Sequence, residues 1–146
     1  MPALLPADTP RTLRLLPLLH RRFHWSAWEA LIRCQGYTLD RPRRASHPRY
    51  PEIIYPIDYG YINGTLGTDG EAIDLFVGTV DLGLVGLLLT HDYRRHDREC
   101  KLLYNCSPEE IYLVNGFINF DRTLMEGWLV LRHPMHRLWL RAEREA

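Results

Sequence analysis

The chain has 146 residues, 18 basic and 18 acidic side chains and a formal charge of zero, so it has the length of one domain with a real core and no cationic excess to recommend nucleic acid. Its three cysteines, Cys34, Cys100 and Cys106, lack the even count of a disulfide scaffold and read as reduced thiols. The longest apolar run, LGLVGLLL at 82–89, is too short to span a membrane, and LRLLPLL near the N-terminus is broken by Arg14 and Pro17 and lacks a signal-peptide cleavage site. The expectation is a soluble cytoplasmic protein with no membrane and no nucleic-acid partner.

Residues 1–11 carry three prolines and are expected to lie loose. Leu13 to Gly36 reads mostly as helix, divided by Pro17. Ser26-Ala-Trp-Glu29 has the form of a capping box, Trp25, Trp28, Leu31 and Ile32 make an apolar stripe, and Gly36 is placed to end the helix. Tyr37 to Asp40 begins a strand that Pro42 stops. The basic, proline-rich stretch from Arg41 to Pro51 is an ordered loop or a sheet edge.

From Ile53 onward, IIYPIDYGYI, IDLFVGTV and LVGLLLT are short apolar runs separated by turn residues, which suggests a compact antiparallel barrel. The charged YRRHDRE loop follows, and Cys100 to Tyr104 returns as a strand. Ser107-Pro-Glu-Glu110 opens a second helix with a capping box and proline at its first position. Ile111, Val114, Phe117, Ile118 and Leu124 are its expected core residues. GWLVLRH at 127–133 has strand character, and Trp139 is the expected anchor of the charged C-terminal stretch. The class is α+β: a small antiparallel β-barrel between N- and C-terminal helices, in one domain over residues 1–146.

Chemistry concentrates between Tyr55 and Asp74. Asp69, Glu71 and Asp74 fall within six residues, just after Tyr55, Tyr59 and Tyr61. Hard divalent cations take oxygen ligands and share substrate phosphates, so such a cluster suits metal and phosphate together. Taken alone, TDGE is equally a solvated turn. The whole segment is more specific. Tyr55, Pro56, Tyr59, Gly60, Tyr61, Ile62, Thr65, Leu66, Asp69, Gly70, Glu71 and Asp74, followed by LFV, resemble the signature of the soluble Mg²⁺-dependent inorganic pyrophosphatases, matching its spacing without a gap. The chemical departure is Glu71, where that family places Asp.

The resemblance covers about residues 37–110 and implies an oligonucleotide-binding-like barrel that hydrolyses inorganic diphosphate to two phosphates with a metal-activated water. It implies Mg²⁺ as cofactor, a small diphosphate as substrate and a homo-oligomer. Asp69, Asp74, Asp92, Glu99 and Asp40 are the implied metal ligands, with Asp97 a rival to Glu99 because the loop between Asp92 and Glu99 runs about two residues long. Glu71 takes the general-base position. Lys101 and Tyr59 are catalytic and substrate-binding, joined at the substrate by Tyr55 and by at least one of Arg41, Arg43 and Arg44. His47 falls near the family's phosphate-binding arginine.

Two features depart from the family. The stretch from Asp74 to Asp92 is compressed, which removes a hairpin or loop, and the C-terminal helix lacks a phosphate-binding Tyr-Lys pair, for which Arg122 or Arg132 are the available substitutes. Two alternatives therefore stand beside inorganic diphosphate: another small diphosphate such as a nucleotide derivative, or a catalytically silent phosphate-binding homologue. His20, His24, His133 and His136 lack partners at zinc-like spacing and read as surface or packing residues.

Overall fold

The structure is a computed structural model and describes residues 21–67 and 70–145. The expected loose segment 1–11, the helical turn beginning at Leu13, the break at Pro17, His20 and the candidate ligand Asp69 lie outside the described residues. Helix α1 (Trp25–Gln35) leads into strands β1 (Tyr37–Arg41), β2 (Asp58–Ile62), β3 (Asp74–Val77), β4 (Leu84–Asp92) and β5 (Asp97–Tyr104). Helix α2 (Pro108–Ile118), strand β6 (Met125–Leu131) and helix α3 (Met135–Glu145) complete the α+β arrangement. Among the described residues no helix is long and apolar enough to cross a membrane.

The six strands form one sheet in the order β1-β2-β3-β5-β4-β6. The expected closed antiparallel barrel is corrected in two respects. Strands β3 and β5 pair in parallel, with Leu75 opposite Leu102 and Val77 opposite Tyr104, because the chain leaves β3 for β4 and returns through the β4–β5 hairpin to fill the place between them. The sheet is also open, with β1 and β6 at its two edges. Closure requires strands long enough to tilt and stagger around an axis. β1, β2 and β3 have only five, five and four residues.

Alternation along the strands sends side chains to two apolar layers. Phe76, Leu88 and Leu103 join Tyr55 and Ile57 beneath Ile111, Val114 and Ile118 of α2 and Leu138 of α3. Leu75, Leu87, Leu102 and Val130 form the opposite layer with Ile32 of α1, against which Trp25 and Trp28 pack. Two expected core positions are corrected. Leu124 is 38% exposed, because the chain has left α2 and turned toward β6, and Leu138 rather than half-buried Trp139 is the fully buried anchor of α3.

Gly36 ends α1 as its sequence suggests, at φ 71° with its amide donating to the Ile32 carbonyl at 2.8 Å. The start differs. His24 is the N-cap residue and makes no side-chain cap, while Ser26 lies inside the helix. Arg132, just past β6, takes both partners of the expected box: its Nη2 donates to Ser26 Oγ at 3.1 Å and its Nη1 to Glu29. A charge-assisted pair outcompetes a neutral cap.

At α2 the capping box forms as the sequence implies. Ser107 Oγ accepts from the Glu110 amide at 3.2 Å, and Glu110 Oε1 accepts from the Ser107 amide at 2.9 Å and the Thr79 amide at 3.0 Å. Ser107→Ala is expected to lower stability by ~1 kcal/mol, the usual worth of such a cap, read as a shift of the urea midpoint with unchanged slope.

Candidate functional site

Lys101 organises the site. On β5 it follows Glu99 by two residues and so shares its face, and the parallel register to β3 sets Asp74 beside it. Tyr59 stands opposite Phe76 on β2, next along the same layer. Lys101 is only 7% exposed, and its ammonium donates to Asp74 Oδ2 at 2.7 Å, Glu99 Oε2 at 3.0 Å and the Tyr59 hydroxyl at 3.1 Å.

Burial alone would disfavour the charge on Lys101. Tyr59, Asp74 and Glu99 outweigh it and raise the pKa, so the ammonium stays protonated. The Tyr59 phenol is also raised, by burial first and by Asp74, against the opposing pull of Lys101. It therefore stays a neutral hydroxyl. Neighbouring Cys100 is pushed up to about 12 by burial, which removes it as a nucleophile at neutral pH.

A second cation flanks this cluster. Arg41, at the end of β1, lies 5.3 Å from the Tyr55 ring centroid and 5.9 Å from that of Tyr59, and its Nη1 donates to the Tyr55 hydroxyl. The two tyrosine rings are 5.2 Å apart. Of the residues named from the sequence, the fold thus brings together Tyr55, Tyr59, Asp74, Glu99, Lys101 and Arg41.

The others stand apart. Asp92 Oδ1 accepts from the amides of Arg94 at 3.0 Å and Arg95 at 3.2 Å, closing the hairpin turn two residue pairs beyond Glu99. Asp97, the rival to Glu99, pairs with Arg95 at 3.5 Å. Asp40 is exposed, where the register of β1 shifts. Arg43 and Arg44 are exposed, and each is fixed through its backbone amide, to Asp58 Oδ1 at 2.8 Å and the Tyr55 carbonyl at 2.9 Å. Glu71 is exposed on the loop before β3, and its carbonyl accepts from the Gly67 amide at 2.6 Å.

Sequence reading passed over Arg94 and Tyr50. The Arg94 guanidinium lies 5.1 Å from the Tyr50 ring centroid, a contact between segments far apart in the chain that no local pattern encodes. A cavity of about 540 Å³ opens beside Asp74 and Glu99 on the α1 side, lined by Phe23, Trp28, Leu66, Leu89 and Trp128.

Among the described residues no three His, Cys, Asp or Glu side chains form a group ready to hold a metal. Asp74 and Glu99 nevertheless offer hard carboxylate oxygens on one face, each about one-quarter exposed. Mg²⁺ is commonly held by one or two carboxylates, with water and substrate phosphates completing its shell. The donor set fits that chemistry.

No protein-family model matches the chain, and no curated protein does. Solved structures similar to it include an inorganic phosphatase from Anaplasma phagocytophilum, at 12% identity over 70% of this chain and 91% of that one, with a TM-score of 0.48. An inorganic pyrophosphatase from Thermus thermophilus matches at 19% identity over 67% and 78% of the two chains, with a TM-score of 0.43. One from Coxiella burnetii matches at 18% over 56% and 63%, with a TM-score of 0.37. These are distant likenesses of fold.

Proposed function

We propose that the chain hydrolyses a small diphosphate, with inorganic pyrophosphate as the first candidate and a divalent cation of the Mg²⁺ type held by Asp74 and Glu99. The observation that carries this reading is the buried Lys101 ammonium, fixed between two carboxylates and a phenol with the Arg41 guanidinium beside them. A bound cation would neutralise phosphate charge and lower the pKa of water.

The side chains supply the rest. Lys101 is a point charge for phosphoryl oxygens, Arg41 a planar fork that can donate twice, and Tyr59 a neutral hydroxyl donor. Their positions are set by the sheet before substrate arrives, so little reorganisation accompanies the reaction. Glu71 is the proposed acceptor of the attacking water's proton, and Asp69 a further ligand.

The test is phosphate release from pyrophosphate with Mg²⁺, with a chelator control and Asp74→Ala. Metal-dependent release that Asp74→Ala abolishes is the expected result. Background-level release by folded wild-type protein would overturn the reading.

A further inference from the structure

A second set of cations converges on His47, in the loop between β1 and β2. The His47 and Tyr50 rings are 5.2 Å apart, and Arg94 reaches across from the hairpin between β4 and β5 to lie over Tyr50. Arg49 donates its amide to His47 Nδ1 at 3.0 Å. The same loop holds Tyr55 through backbone bonds to Ala45 and Arg44, and Tyr55 carries Arg41. A chain of contacts therefore runs from Lys101 through Tyr59 and Arg41 to Tyr55 and its loop, and Arg94 reaches the same loop through Tyr50 and His47.

The His47 imidazole feels these cations. Its pKa is lowered by burial and then by Arg41, Arg94 and Arg49, with Glu52 opposing them. Acidic groups nearby balance these guanidiniums poorly. Asp92 is 3.9 Å from Arg94 Nε, at the edge of pairing distance, and its Oδ1 already accepts two amides. Asp121 also senses Arg94 but is engaged by Thr123. Like charges gathered in this way repel one another until an anion joins them. Helix α2 supplies no arginine or lysine of its own.

We infer that Arg94 is a substrate-binding residue, which with Arg41 grips the phosphoryl group lying away from Lys101; this rests on the diphosphate reading of the site. The hairpin tip that presents Arg94 is secured by the Tyr93 amide, which donates to the Leu124 carbonyl at 2.9 Å, and by the Tyr93 hydroxyl, which donates to Glu126 at 3.1 Å. Arg95 supplies a control of equal charge on the same tip. Its side chain is 70% exposed against 40% for Arg94, and it pairs with Asp97.

The experiment measures binding of imidodiphosphate by calorimetry with Mg²⁺, beside pyrophosphate kinetics, for wild type, Arg94→Ala, Arg94→Lys and Arg95→Ala. Arg94→Ala is expected to raise Kd and KM about tenfold or more, as loss of a charged hydrogen-bond donor does. Its kcat should change less, Arg94→Lys should recover part of the loss, and Arg95→Ala should match wild type. If wild type turns over and Arg94→Ala binds equally well, the inference fails while the site reading stands. Equal weakening in Arg94→Ala and Arg95→Ala would reduce the effect to long-range charge and also overturn it. A wild type that neither binds nor hydrolyses would overturn the diphosphate reading, and the inference with it.

Discussion

Lys101→Met is expected to lower diphosphate turnover by about 10²-fold or more, the usual cost of removing a preorganised electrostatic partner, while strengthening Mg²⁺ binding. The two effects share one cause. The ammonium neutralises Asp74 and Glu99 at 2.7 and 3.0 Å, and under the proposed function it is also the cation that meets phosphoryl oxygens. Without it the carboxylates repel each other and favour a divalent cation in its place. Breaking a fully buried pair costs about 3–5 kcal/mol. Here both carboxylates are about one-quarter exposed and can rehydrate, so a loss of ~1–3 kcal/mol is expected.

Thermal melts with and without Mg²⁺ separate the possibilities. The variant should melt lower than wild type without metal and gain more than wild type when Mg²⁺ is added. Turnover close to wild type, with the same response to Mg²⁺, would make Lys101 a structural ion-pair partner only and remove the central argument for the site.

Gly60→Ala is expected to destabilise the protein by ~3 kcal/mol, the upper end of what overpacking usually costs. An added Cβ would stand 1.9 Å from the Thr38 carbonyl oxygen and 2.9 Å from Leu39 Cα. Both are backbone atoms of β1 and cannot swing aside as a flexible side chain would. The two strands must part, and Arg41, at the end of β1, must withdraw from Tyr55 and Tyr59. Urea unfolding reads the stability, and imidodiphosphate affinity reads the displacement of Arg41.

Gly116→Ala is the matched control. It sits inside α2 with no atom within 4 Å of an added Cβ, so the better helix former should leave stability unchanged or raise it by up to ~1 kcal/mol. A Gly60→Ala protein as stable as wild type would mean that this glycine does not govern the approach of β1 to β2.

Local chemistry was legible in the sequence wherever neighbours along the chain decide the outcome. Gly36 ends α1, and Ser107 and Glu110 cap α2. The same kind of pattern misled at Ser26 and Glu29, because Arg132, 106 and 103 residues away, claims both. No local pattern contains that competitor.

The carboxylates divide along the same line. The family resemblance names Asp40, Asp69, Glu71, Asp74, Asp92 and Glu99 together as acidic candidates. Only the parallel pairing of β3 with β5 decides that Asp74 and Glu99 share Lys101, while hairpin geometry turns Asp92 toward the amides of Arg94 and Arg95. The choice among Arg41, Arg43 and Arg44 was equally open in the sequence. The structure places Arg41, at the end of β1, over two tyrosine rings and leaves Arg43 and Arg44 exposed.

By itself, then, the sequence determined the α+β class and the helix ends set by nearby residues, and it marked the segments that hold the candidate site residues, because hydrophobic period, caps and turns act over a few residues. The tertiary structure alone decided the open mixed sheet, the partners of Lys101 and the meeting of Arg94 with Tyr50, because these depend on strand order and register, which bring together residues that have no contact along the chain.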